Sequence, residues 1–132
     1  MSNVAILPQN LTGSFSFQTN ADWRDPPILF QTTQGQTVDL TGISFKMTIK
    51  PSPSSPQVIL GLSTAPGGYM INGGAAGTLA IVVPVSVTQR LPPGSYVADI
   101  VAEGVDASGN SMTMNLFETP ATVTIAQGIT TP

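Results

Sequence analysis

Apolar and polar residues alternate with period two along much of this chain. Ser14-Phe15-Ser16-Phe17-Gln18 puts two phenylalanines on one side, and Ile43, Phe45, Met47 and Ile49 stand against Ser44, Lys46, Thr48 and Lys50. Successive side chains of a strand point to opposite faces, so such runs predict strands with one dry face. Ala121, Val123 and Ile125 alternate with Thr122, Thr124 and Ala126, and Met112, Met114 and Leu116 with Thr113, Asn115 and Phe117. Leu79 to Val83 is apolar on both faces, which predicts a strand covered on both sides. Ile28 to Gln31 and Val58 to Leu62 are shorter candidates.

Turn chemistry separates these runs. Asp25-Pro26-Pro27 stops one segment before Ile28, and Gln34-Gly35-Gln36 reads as a hairpin tip. The Pro51-Ser52-Pro53-Ser54-Ser55-Pro56 stretch reads as a stiff exposed loop, because proline has no N–H for a ladder. Ala65-Pro66-Gly67-Gly68, Asn72-Gly73-Gly74 and the hairpin loop Asp106 to Asn110 are further turns. Helix is scarce: Val87 to Leu91 predicts one turn that Pro92 ends. Many short strands at turn intervals of about 8–12 residues predict an all-β sandwich or barrel. The expected organisation is an N-terminal arm (1–13), one domain (14–126) and a C-terminal tail (127–132).

Composition narrows the chemistry. The 132 residues hold 4 Lys+Arg, 7 Asp+Glu, no His and no Cys. Zinc sites built on Cys or His, histidine-dependent nucleophiles and thiol redox chemistry are thereby excluded. Four cations make no basic patch for a nucleic-acid backbone. No apolar run approaches the roughly 20 residues of a membrane-spanning helix. The first eight residues carry no basic region and no apolar run of signal-peptide length, so synthesis in a cytoplasm is expected. Charged residues are 8% of the chain, against about 25% in ordinary domains. Faces with so little charge point to surface that meets other protein, and hence to an assembled state.

The remaining constellations favour no enzyme and no cofactor. Asp99 and Glu103 share a strand face, but at about 3.3 Å per residue they lie about 13 Å apart, too far for paired glycosidase carboxylates. Glu118 lies beyond the hairpin, within possible reach of Glu103. Asp22, Asp25 and Asp39 have no EF-hand-like spacing for calcium. Gly73-Gly74-Ala75-Ala76-Gly77 lacks the Lys-Ser/Thr of a phosphate loop and reads as a turn entering a strand. Trp23 and Arg24, between acidic residues in a proline-bounded loop, are candidate interface anchors; the alternative is a Trp folded over the core. Ile6 and Leu7 are candidates for arm-mediated contact by strand addition, and Tyr69 is a further surface candidate.

In Leu91-Pro92-Pro93-Gly94-Ser95-Tyr96-Val97-Ala98, a Tyr follows a glycine-containing bend at a strand start. It matches the tyrosine corner of immunoglobulin-like sandwiches, with Gly94 and Tyr96 as its residues and Ala98 where antibody domains carry Cys; the alternative is a half-buried Tyr with no special corner. Three further stretches join it: Val38-Asp39-Leu40-Thr41-Gly42 leading to Phe45-x-Met47-x-Ile49-Lys50, then Gly77-Thr78-Leu79, and Asn20-Ala21-Asp22-Trp23-Arg24. Together they resemble small virion proteins of tailed bacteriophages, including tail and baseplate proteins and the N-terminal modules of baseplate receptor-binding proteins. The resemblance implies a single Ig-like β-sandwich of about seven to nine short, mostly antiparallel strands with extended arms. It implies a structural role in a tail or baseplate, with other virion proteins and copies of itself as partners in a symmetric assembly. Two alternatives stand beside it: a capsid decoration protein, and a host-surface carbohydrate-binding module with Trp23 and Tyr69 as stacking platforms.

Overall fold

The strands in chain order are β1 (Ser14–Gln18), β2 (Trp23–Arg24), β3 (Ile28–Leu29), β4 (Ser44–Lys50), β5 (Leu60–Ser63), β6 (Met70–Asn72), β7 (Thr78–Val83), β8 (Gly94–Val105), β9 (Ser111–Asn115) and β10 (Ala121–Ala126). One α-helical turn, α1 (Val85–Thr88), and a 3-10 turn at Gly74–Ala76 complete the elements of this computed structural model. It describes residues 11, 13–32, 34–105 and 109–130. The chain is mostly β and forms two sheets, in keeping with a sandwich. The larger sheet runs β1-β10-β8-β4-β5, with β9 also beside β8. The smaller has β7 at its centre, β2 and β3 along one side and β6 on the other. Every strand pair is antiparallel except β1 with β10.

Among the described residues there are ten strands, against the seven to nine that the resemblance implies, and two lines are broken. Asp25-Pro26-Pro27 cannot donate to β7 throughout, so β2 and β3 are two short pieces of one line. Residues 116–120 likewise separate β9 from β10, which pair with opposite halves of the twelve-residue β8.

One core lies between the sheets. Phe45, Met47 and Ile49 of β4 and Ile100 and Ala102 of β8 meet Leu79, Ile81 and Val83 of β7, all essentially inaccessible to water. Phe30 and Phe45 stack with ring centroids 6.0 Å apart. The loop between β3 and β4 is bound to the β6–β7 connection. Phe30 N–H donates to Gly77 O (2.7 Å) and Leu40 N–H to Gly74 O (2.9 Å), while Val38 N–H to Phe30 O (3.0 Å) closes the loop on itself. Asn72 reinforces this join. Its Nδ2 donates to the carbonyls of Leu40 (2.9 Å) and Ile43 (2.7 Å), and its Oδ1 accepts from Gly74 N–H (2.7 Å). Gly77 is required there: φ is 69°, and a Cβ would meet Val38 O at 2.8 Å.

The Gln34-Gly35-Gln36 tip forms as expected, with Thr32 N–H donating to Gln36 O and Gln31 bridging Thr37. The β8–β9 hairpin also forms, with Val105 opposite Ser111; residues 106–108 of its loop lie outside the described residues. Four local expectations need correction. Leu116 and Phe117 do not alternate, because β9 ends at Asn115 and both fold inward. The helical turn begins at Val85 rather than Val87, since the Asp22 carboxylate caps Val85 N–H from across the loop (2.8 Å). β5 starts at Leu60 and leaves Val58 exposed, because pairing begins only where Ile59 N–H reaches Ile49 O. β7 is covered on one face: Leu79, Ile81 and Val83 are buried, while Ala80 and Val82 are half-buried on the outer side.

The ends of the described chain are tied to the body. Leu11 N–H donates to Leu116 O (2.8 Å), Gly128 N–H to Thr19 Oγ1 (3.1 Å) and Asn20 Nδ2 to Thr130 O (2.8 Å).

Candidate functional site

Gly94 and Tyr96 shape the bend that leads into β8. Tyr96 is buried, and its hydroxyl donates to Pro92 O at 2.6 Å. Gly94, at φ 153°, packs under the ring; a Cβ there would lie 3.3 Å from the phenol oxygen in a conformation L residues rarely adopt. The bond pins the Leu91–Gly94 bend to the start of β8. Tyr96→Phe leaves a part-buried carbonyl without its donor and is expected to cost about 1–2 kcal/mol. Urea unfolding monitored by circular dichroism measures this; an unchanged midpoint would remove the corner's structural role.

Trp23 is not a surface anchor. It is 1% exposed, stacked on Phe17 at 4.4 Å and 15° and edge-on to Phe15 at 6.0 Å. Its position opposite Val83 turns it inward, so neither interface anchoring nor sugar stacking is open to it. Arg24, the next residue, points outward and lies 3.6 Å from Asp22. Tyr69 is half-buried at the passage from β5 to β6. It has a left-handed φ of 67°, unusual for a bulky residue, and its carbonyl accepts from Val82 N–H. Ile6 and Leu7 lie outside the described residues.

The acidic residues are separately engaged. Asp22 caps α1, whose Thr88, fully buried, donates to Ala21 O (2.8 Å). Asp39 accepts from the N–H and hydroxyl of Thr41 (2.9 and 2.6 Å), which lowers its pKa. Glu103 pairs with Lys46 at 3.3 Å. Glu118 follows β9 at the level of Ala98 to Val101, at the far side of Asn115 from Glu103, so these two do not come together. Among the described residues no three acidic side chains gather to hold a metal ion.

Asp25 is the exception to easy solvation. Burial raises its carboxyl pKa, an effect partly offset by the indole N–H of Trp23. The approach falls short of hydrogen-bond geometry, so Trp23 Nε1 remains buried without a full partner. An acid with a raised folded pKa favours the fold while protonated; that contribution is lost as pH rises through the folded value. Asp25→Asn should therefore gain stability relative to wild type between pH 3 and pH 7. Thermal melts at the two pH values check the sign, and an advantage larger at pH 3 would contradict it.

The two outer sheet faces differ. That of the large sheet is mainly Ser and Thr, crossed by Val97, Val101 and Val105 of β8, with Lys46 and Lys50 of β4 beside Asp99 and Glu103 of β8. That of the small sheet is apolar: Leu29 lies opposite Thr78, and Ile71 opposite Ala80, with Val82 beside them. Leu29 is 52% and Ile71 56% exposed. Arg24 stands opposite Val82 at the end of this patch. The pattern of Leu79 to Val83 already carried this surface; only its uncovered state required the fold. No protein-family model and no curated protein matches the chain.

Proposed function

We propose that this chain is an immunoglobulin-like β-sandwich serving as a structural component of a bacteriophage virion, in a tail or baseplate, through protein–protein contacts. The Ig-like reading is supported by the strand order and by the Tyr96–Pro92 bond at the bend before β8. The tail or baseplate location rests on the sequence resemblance. The observation that carries a contact role is the outer face of the small sheet, where Leu29, Ile71, Ala80 and Val82 form an uncharged patch. Contiguous apolar patches larger than a few hundred Å² are rare on monomers, and exposed apolar faces rimmed by polar residues mark interaction sites. Its partners are other virion proteins and copies of the chain, made in the host cytoplasm and assembled into the particle.

Ile71→Lys tests this reading. An exposed substitution changes stability by no more than about 0.5 kcal/mol, so the variant should fold and melt like wild type. It should nevertheless be lost from purified particles, and particles without the protein should show incomplete tails under negative stain. Intact, infectious particles carrying the variant at wild-type occupancy would sink the proposal. Antibody labelling on virions separates tail from capsid decoration.

A further inference from the structure

On the outer face of the large sheet, two lysines of β4 stand in the same relation to two acids of β8. Lys46 lies opposite Val101, with Glu103 two residues beyond; Lys50 lies opposite Val97, with Asp99 two residues beyond. The first pair closes to 3.3 Å. The second stays open. Asp99 is one methylene shorter than Glu and is held sideways by Asn115, whose Nδ2 donates to Oδ2 at 2.8 Å. The Lys50 side chain makes no ion pair or hydrogen bond among the described residues. Where the second pair fails to close lies a pocket of about 200 Å³. Thr48, Lys50 and Asp99 supply its polar groups, and Pro53, Val97 and Pro120 its apolar walls.

We propose that this pocket binds a small zwitterion of the α-amino acid class. The ligand carboxylate meets the Lys50 ammonium, the ligand ammonium meets the free Oδ1 of Asp99, and an aliphatic side chain rests against the two proline rings and Val97. Thr48, directly opposite Asp99 in the register, adds a hydroxyl between the two charges. An α-amino acid carries opposite charges on two groups attached to one carbon, and so completes the ion pair that the shorter acid leaves open. Charge-assisted hydrogen bonds at both ends favour it over a neutral solute. The volume is that of about six or seven waters at about 30 Å³ each, enough for an amino acid with a short branched side chain. The pocket lies on the opposite sheet from the apolar patch, and this inference does not depend on the virion reading.

The test is a titration of the full, isotope-labelled chain with L-valine, followed by amide shifts in two-dimensional NMR. Saturable shifts at Thr48, Val97 and Asp99 are expected, with millimolar affinity. Valine methyl ester, lacking the carboxylate charge, and N-acetylvaline, lacking the ammonium, should each bind at least about tenfold more weakly. Glucuronate, an acid bearing hydroxyls in place of the ammonium, should also bind more weakly. Lys50→Gln and Asp99→Asn should each reduce valine affinity by about tenfold or more with the spectrum of the folded protein retained. Absence of saturable shifts, equal binding of either blocked derivative, tighter binding of glucuronate, or unchanged affinity in both variants would overturn the assignment. The blocked derivatives probe the wild-type chain, so the result stands even where a variant fails to fold.

Discussion

Trp23→Ala is expected to destabilise the protein by about 3–5 kcal/mol, the range for emptying a large aromatic site in a packed core. Trp23 is the largest of the fully buried side chains. It holds Phe17 in a stack and Phe15 edge-on, and Phe15 in turn meets Phe117 edge-on at 6.4 Å. One side chain thus joins β1, β2 and the segment after β9. Removing it leaves a cavity that the β1 edge and the fixed β2–β7 pairing cannot close. Domains of this size have a total stability of about 5–15 kcal/mol, so the loss would lower the urea midpoint severely. Trp23→Phe should retain part of the stack and fall between the two, which gives a graded series if the alanine variant does not fold. Urea unfolding followed by far-UV circular dichroism measures both; an alanine variant within 1 kcal/mol of wild type would show that the cluster is dispensable.

Asn72→Ala carries the second large effect, about 2–4 kcal/mol. The substitution strips donors from Leu40 O and Ile43 O and an acceptor from Gly74 N–H. Each part-buried polar group left unpaired costs about 1–3 kcal/mol, reduced where water reaches it. Asn72→Asp separates the cause from simple loss of volume. It keeps an acceptor for Gly74 N–H but turns a carboxylate oxygen toward two carbonyls. It should be worse than alanine at neutral pH and recover in acid, where a protonated carboxyl again donates. Equal losses for the two variants at every pH would assign the effect to packing alone.

How much of this was readable in the sequence depends on how local the cause is. β4 was legible because its alternation is set by one face and one sheet. The Tyr96 corner was legible because donor and acceptor lie four residues apart. Trp23 was not. Its neighbours Asp22, Arg24 and Asp25 read as surface, and only its pairing with Val83, sixty residues away, directs the indole inward. Asn72 looked like a turn residue, because nothing nearby in the sequence announces that its amide spans to the loop before β4. The Lys50–Asp99 opening was equally hidden, since it is a property of register between strands. Residue types alone show both acids and both lysines, but not which pair closes.

The parallel pairing of β1 with β10 has a consequence for how the protein is made. Among the described strands, Ser14 to Gln18 pairs with Thr122 to Ala126, so β1 leaves the ribosome long before its partner and waits for it. Phe15, Phe17 and Trp23 emerge early, and Phe117, which covers Phe15, arrives about a hundred residues later. With no cysteine to trap a partial structure, the large sheet closes only once β10 has been made. Contacts of such long sequence separation belong to the slow, millisecond-to-second class of folding. In that interval the aromatic segment is the part of the nascent chain most in need of protection from its neighbours.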